Sequence, residues 1–403
     1  MAHRKYLLVS PAYPPPLVGG SKVWIYTLVE NSPEPFDLLT SALKPGCAEV
    51  IGPRHGVFRS RFLWDSNGTD PTRIDLLISY GYMLAWCLLR LLCVRYDAVV
   101  AGAFDFANGW LFLLGKLMRV PVIGLGVAEE FTLALRGKGV RNFVKRHWIK
   151  LTHRRAAGFV VVCGFCKDVL VSIGVDPGRI HVVPSSINPN KLRPRSVRSR
   201  GGHHVLSVGR LVERKGFHHL IDAVALLKNE LPDIRLTIVG DGPWRRVLEQ
   251  NVARQDLTGY VAIRGGLGDE EVRALYSGCD LFVLANMMLD NGDTEGCPVV
   301  FVEAAGNGLP VIGGTGGGAA TAIVHERTGY IVDARNVREL AARIGALLTD
   351  PVLADAMGRA GIEKVRRDHD PAKCGARFHE SIRLIVERAR RALGPGPRVR
   401  LPV

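Results

Sequence analysis

Short runs of β-branched and apolar residues alternate with segments of helical period along the whole chain. The runs Tyr6–Ser10, Ala98–Ala101, Val120–Ile123, Phe159–Val162, His181–Val183, Val205–Val208, Arg235–Val239, Val261–Arg264, Leu281–Leu284, Pro310–Ile312 and Tyr330–Val332 predict strands. Many are apolar throughout, as expected of strands covered by helices on both faces, and the spacing therefore predicts α/β architecture with parallel, doubly wound sheets. The pattern breaks once, at Lys191–Gly202, where five basic residues fall within ten positions without an acid. That stretch reads as an interdomain linker, 191–202, between a first domain of residues 1–190 and a second beginning at 203. Two Rossmann-like domains facing each other across a cleft is the predicted architecture, with ligands at the carboxyl ends of the strands.

Composition narrows the class. At 403 residues, 47 % hydrophobic and 23 % charged, the chain is neither disordered, collagenous nor a coiled coil. Its eight cysteines are scattered, mostly inside apolar runs, as reduced thiols are. Cys163-Gly-Phe-Cys166 is the one tight pair; it suits either packing or a thioredoxin-like redox role, and no second pair completes a zinc site. Met1–Lys5 leads straight into the first strand without a cleavable signal, so a cytoplasmic start is expected. Leu76–Val94 is long enough to span a bilayer, but Arg90 within it would cost about 2.5–3.5 kcal/mol there, which predicts a buried helix of a soluble domain.

Chemistry concentrates in the second half. His204–Gly216 reads as a strand, then Gly209, then Arg210 and Lys215 on one strand-to-helix turn. Two such cations suit a diphosphate, with charge-assisted contacts of about 1.5–3 kcal/mol each, although a solvated charge cluster has the same composition. Leu236–Pro243 is a strand ending in glycines, whose Asp241 is expected to cap the next helix. Glu295 and Glu303 stand eight positions apart in Glu295-Gly296-Cys297-Pro298-Val299 through Glu303. With a helix over 297–307 and Pro298 in its first turn, Glu295 precedes the helix and Glu303 lies within it. Free N–H groups at the helix start would face phosphate, while the carboxylates accept from hydroxyls. A diphosphate beside hydroxyl-rich rings describes a nucleotide-sugar. In the first half, the first strand ends in Ser10–Ser21, a loop stiffened by prolines whose Gly19 and Gly20 let the backbone approach a ligand, a weak signal by itself.

These segments, in order, resemble the family-4 retaining glycosyltransferases of GT-B fold: Gly209-Arg210 with Lys215-Gly216, Val239–Pro243, Leu275-Tyr276 before Cys279–Leu284, Glu295 with Glu303, Gly308–Ile312 and Gly329–Asp333. The resemblance implies that Arg210 and Lys215 hold the donor diphosphate and that Glu303 binds the ribose. It places Glu295 near the transferred sugar and Gly19 and Gly20 over the phosphates. It also implies metal-independent transfer, so that Asp290, Asp293 and Glu295 hold no ion, and a donor-binding domain over 203–371 followed by a helix over 372–393 that crosses back to the first domain. Where the family carries a His-Gly pair, this chain reads Gly124–Glu130 without histidine, leaving Glu129 and Glu130 as possible acceptor or sugar contacts or as structural or exposed residues. Where members often place an acid after the glycines of 313–318, this chain has Ala319-Ala-Thr-Ala322. A nucleotide-sugar epimerase of the same fold, or a nucleotide-sugar-binding protein with weakened catalysis, fits the same motifs.

Net charge is +15, distributed unevenly: +9 over residues 1–190, +5 over 191–200 and +1 over 201–403. Eight Lys or Arg and no acid lie between Arg136 and Arg155. Arg141, Lys145, Arg146, Trp148 and Lys150 are accordingly expected to face an anionic membrane, on the inner leaflet, where each cation contributes about 1 kcal/mol; a solvated helix face is the alternative. No nucleic-acid fold signature accompanies the charge. The expected partners are thus a nucleotide-sugar donor and a glycan or lipid-linked acceptor, with no resident cofactor.

Overall fold

The computed structural model describes residues 5–393 except 12, 14–19, 44–46, 64–71, 103–107, 128, 138, 188, 190–191 and 193–202. The described residues divide into two compact units, one within Met1–Ser186 and Pro371–Val403, the other within Ile187–Asp370.

The first unit runs β1 (Tyr6–Val9), α1 (Gly20–Glu30), β2 (Phe36–Ser41), β3 (Gly56–Ser60), α2 (Arg73–Cys93), β4 (Ala98–Ala101), α3 (Asn108–Met118), β5 (Val122–Gly126), α4 (Glu129–Arg136), α5 (Val140–His153), β6 (Gly158–Val161), α6 (Gly164–Ser172) and β7 (Ile180–Val182). Its sheet is parallel, in the order β3-β2-β1-β4-β5-β6-β7. Strands β1, β4, β5 and β6 are wholly buried, as their unbroken apolar runs require.

The second unit comprises β8 (His203–Val208), α7 (Phe217–Leu227), β9 (Ile234–Val239), α8 (Arg245–Arg254), β10 (Val261–Arg264), α9 (Asp269–Gly278), β11 (Leu281–Leu284), α10 (Val299–Gly306), β12 (Val311–Gly314), α11 (Ala319–Ala322), β13 (Gly329–Val332), α12 (Val337–Thr349) and α13 (Pro351–Asp368). Its parallel sheet has the order β10-β9-β8-β11-β12-β13. From β8 the chain winds outward through β9 and β10, then crosses to β11 on the other side of β8. The gap between β8 and β11 is therefore the topological switch point, where ligands of such sheets bind at the carboxyl ends.

The last helix, α14 (Pro371–Leu393), belongs to the first unit, packing on α1 and β6. Its Phe378 is fully buried and stacks on Phe36, with ring centroids 6.0 Å apart.

Four expectations change. Strands β2 and β3 were not legible, because Asp37, Thr40, Ser41, Arg59 and Ser60 interrupt the apolar pattern. Tertiary partners explain why Asp37 can sit in a buried strand: Tyr96 Oη donates to it, and Lys5 and Arg90 each lie 3.3 Å away. The second unit also starts earlier than 203: the Ile187 N–H donates to the His369 carbonyl at 2.9 Å and its side chain lies in that unit's core, with Leu192 packed against it. The rest of the expected linker lies outside the described residues. Pro298 is the N-cap of α10 rather than part of its first turn. Finally, α2 is not a buried helix: Leu77 is 71 % and Leu89 63 % exposed.

Removing the Phe378 ring should open a cavity between α14 and the sheet. Phe378→Ala is expected to cost the first unit about 3–5 kcal/mol. Urea unfolding followed by hydrogen exchange of α1 and α14 amides checks this; a loss below about 1 kcal/mol would mean that α14 does not close this core.

Candidate donor site of the second unit

The loop leaving β8 begins at Gly209, whose N–H donates to the Val239 carbonyl at 2.9 Å. Arg210 follows, exposed; its carbonyl accepts from the Val212 N–H at 2.9 Å, and its side chain forms no hydrogen bond or ion pair with the described residues. A short 3-10 turn, Glu213–Lys215, then turns the chain into α7. Gly216 closes that turn at φ +67°, and a Cβ there would lie 1.8 Å from the Ala285 carbonyl oxygen. No side chain fits, so only glycine lets this loop touch the chain leaving β11. The Met287 N–H donates to the Arg214 carbonyl at 2.8 Å across the same contact.

Side chains bridge the two loops at the switch point. Lys215 Nζ lies 2.9 Å from Glu295 Oε2, while Arg214 Nε donates to Glu295 Oε1 at 2.6 Å and Arg214 Nη1 to Asp293 Oδ2 at 3.2 Å. Burial by itself would raise the Glu295 carboxyl, but the Lys215 and Arg214 charges outweigh it and hold that carboxyl below its ordinary range. Glu295 is thus a carboxylate at neutral pH. It accepts hydrogen bonds and cannot act as a proton donor.

Gly296 and Cys297 are half-buried and lead to buried Pro298; Val299 opens α10. Glu303, one turn further along that helix, is buried and accepts from Tyr276 Oη at 3.1 Å. Burial and the nearby Glu303 charge push the Tyr276 phenol well above its usual range, so the phenol stays a donor. A third loop, leaving β12, closes the same edge of the sheet: Gly317, at φ +68°, has no room for a Cβ against the Glu295 carbonyl oxygen, 1.8 Å away. Fully buried Asn286 fixes that loop, donating to the Gly316 carbonyl and accepting from the Gly314 N–H at 3.1 Å.

Sequence reasoning therefore named Arg210, Lys215, Glu295 and Glu303, quoted Tyr276 within a motif without giving it a role, and missed Arg214 and Asn286. Arg214 adjoins Lys215 in sequence, and that adjacency was the available signal; Asn286 gave none, since its partners lie some thirty positions away. Asp241 does not cap α8; its Oδ1 accepts from the Gly242 N–H at 2.8 Å, within the turn.

In the first unit, Gly20 begins α1 and Gly19 lies outside the described residues. Glu129 and Glu130 open α4 and Arg141 lies in α5, with side chains outside the described set. Two of the expected membrane-facing residues are half-buried and have partners on neighbouring helices. Arg146 donates to the Leu135 carbonyl at 3.3 Å, and half-buried Trp148 packs its ring 4.6 Å from that of Trp110 and fills the space a Gly109 side chain would take. Lys150 is exposed and Lys145 half-buried. Cys163 and Cys166 are buried at the start of α6, sulfurs 3.1 Å apart.

Two units, each a parallel sheet flanked by helices, give the chain the GT-B fold, with the Lys215–Glu295–Arg214 cluster at the switch point of the second. Residues 190–364 match the family model of glycosyl transferases group 1, and residues 50–191 that of glycosyltransferase family 4. The two matches place a glycosyltransferase domain in each half of the chain. A GDP-mannose-dependent alpha-(1-6)-phosphatidylinositol monomannoside mannosyltransferase of Mycolicibacterium smegmatis is 36 % identical over 39 % of this chain and 41 % of its own length. The amylovoran biosynthesis glycosyltransferase AmsK of Erwinia amylovora is 30 % identical over 50 % of each. The chain thus matches two fifths to a half of the length of these curated relatives. Anabaena HepE in complex with UDP and glucose shares the fold, with a TM-score of 0.71 and 18 % identity over 95 % of this chain and all of that one.

Because the Glu295 carboxyl is depressed, its contribution is complete above the ordinary carboxylate value, about 4.3, and is lost as pH falls through its lower folded value. Glu295→Gln should cost about 1.5–3 kcal/mol at pH 7, since two cations lose their acceptor. That difference should shrink below pH 4, as read by denaturant unfolding across pH; a difference that persists unchanged at pH 3 would contradict the ionised pair.

Proposed function

We propose that the protein is a retaining, metal-independent glycosyltransferase that moves a sugar from a nucleoside-diphosphate sugar to a glycan or lipid-linked acceptor in cell-surface polysaccharide or glycoconjugate assembly. The observation that carries this reading is the Lys215–Glu295–Arg214 cluster at the switch point, with exposed Arg210 on the same loop. Diphosphate oxygens near Arg210 and Lys215 would find two cations, plus the N–H groups at the start of α10. As the bond from the anomeric carbon to phosphate breaks, negative charge grows on the departing diphosphate, and these groups neutralise it in the role a metal takes elsewhere.

Glu303, fixed by Tyr276, accepts from the ribose hydroxyls in this reading. Glu295, ionised and tied to Lys215, holds that ammonium in place and accepts from hydroxyls of the transferred sugar. Retention follows from front-face attack, in which the leaving phosphate oxygen takes the acceptor proton. Glu129 or Glu130, at the start of α4, supplies a polar contact to sugar or acceptor. The cations around α5 hold the enzyme at the inner face of the membrane, near a lipid-borne acceptor.

Purified protein should hydrolyse its nucleotide-sugar slowly without acceptor and be unaffected by a chelator. Arg210→Ala and Glu303→Ala should each lower kcat/KM at least tenfold, one charge-assisted contact being about 1.5–3 kcal/mol. Both variants retaining full activity would overturn the site assignment. Interconversion of two nucleotide-sugars without acceptor would identify an epimerase, and tight nucleoside-diphosphate binding without turnover a binding protein.

A further inference from the structure

Helix α2 carries its apolar residues on the wrong side for a water-facing helix. Beyond exposed Asp75 in its first turn, the exposed positions Ile74, Leu77, Ile78, Gly81, Ala85, Leu88 and Leu89 recur at helical spacing and are apolar, while Ser79, Met83 and Cys87 are buried beneath them. At 1.5 Å per residue, the 21 residues give a ridge about 31 Å long. Arg90, the charge that argued against lipid contact, is turned inward. Its Nε donates to Tyr96 Oη at 3.0 Å, its Nη2 lies 3.3 Å from Asp37 Oδ2, and its guanidinium stands 4.6 Å over the Phe58 ring. The one acid of the helix, Asp75, is held at the helix start by a capping box with Thr72.

The ridge is not alone. The crossovers β3-α2-β4, β4-α3-β5 and β5-α5-β6 all advance the same way along the sheet, so right-handed connection lays α2, α3 and α5 on one face, and α3 packs against both neighbours. On that layer Leu117 of α3 is 77 % and Val140 of α5 81 % exposed, with Trp110, Phe143, Val144 and Leu151 also exposed. Exposed Lys116, Arg119 and Lys150 lie among them, and neither α3 nor α5 contains an acid.

We infer that this face of the first unit, with α2 as its apolar ridge, seats in the interface of an anionic phospholipid bilayer, α2 lying in the plane of the membrane rather than across it. Spanning is excluded by topology: β3 and β4, joined by α2, belong to one sheet. A partner for this face must accept both a long apolar ridge and cations, and an anionic headgroup layer over acyl chains supplies both. A second copy would set the cations of α3 and α5 against cations. The inference rests on the peripheral location proposed above and names the element that enters the lipid.

Flotation of the full-length protein with phosphatidylcholine vesicles, with and without about a third phosphatidylglycerol, tests it. Anionic vesicles should bind the protein, and Leu77→Gln combined with Leu89→Gln should lower partition about tenfold or more while nucleoside-diphosphate stabilisation of the second unit stays unchanged. A single Leu77→Gln variant, expected to show an intermediate loss, guards against misfolding of the pair. Lys116→Glu with Lys150→Glu should weaken binding and remove its salt dependence. Loss with the charge variant but none with the leucine variants would overturn the role of α2 while sparing the peripheral location. Absence of binding to either vesicle would overturn both, and a dimer abolished by the leucine variants, without vesicle binding, would assign the face to a second copy.

Discussion

The second unit is organised around the contact between the loops leaving β8 and β11. A sheet that winds outward from β8 and then resumes on its other side leaves those two loops adjacent and otherwise uncovered. Here they are joined by backbone at Gly216 and Met287 and by charge at Lys215, Arg214 and Glu295. The ion pair is worth little as a stabiliser in the abstract, because its desolvation offsets much of its attraction. Its value is positional: it fixes an ammonium and a carboxylate at the one edge where strand ends, a helix start and three loops converge.

The first unit solves a different problem with the same architecture. Its sheet is sealed on one face by α1 and α14, whose buried aromatics complete the core. On the other face the helical layer keeps its inward contacts but leaves an apolar and cationic exterior. Asp37 shows how such a unit tolerates charge inside, since one buried carboxylate gathers Lys5, Arg90 and Tyr96 and in doing so withdraws Arg90 from the outer face of α2.

Much of this was legible from residue pattern. Eleven strands follow from apolar runs, since a strand covered on both faces has no polar face to disguise it. Arg210, Lys215, Glu295 and Glu303 stood out because two cations on one turn and two carboxylates around a helix start form a pattern that survives without tertiary knowledge. Strands β2 and β3 did not, because their polar residues are satisfied by partners distant in sequence. Arg146 and Trp148 show the converse limit: their residue types mark a surface helix, but not that a carbonyl of α4 and a ring of α3 partner them.

By itself the sequence determined the alternation of strands and helices, the parallel sheets and the residues able to meet a diphosphate, because each depends on local periodicity or on side chains a few positions apart. Only the tertiary structure decided that Arg214 shares Glu295 with Lys215, that Asn286 ties down the loop after β12, and that the apolar stripe of α2 points outward while its arginine points in. Those outcomes depend on which distant groups satisfy each charge or cover each apolar face, and periodicity along the chain carries no record of them.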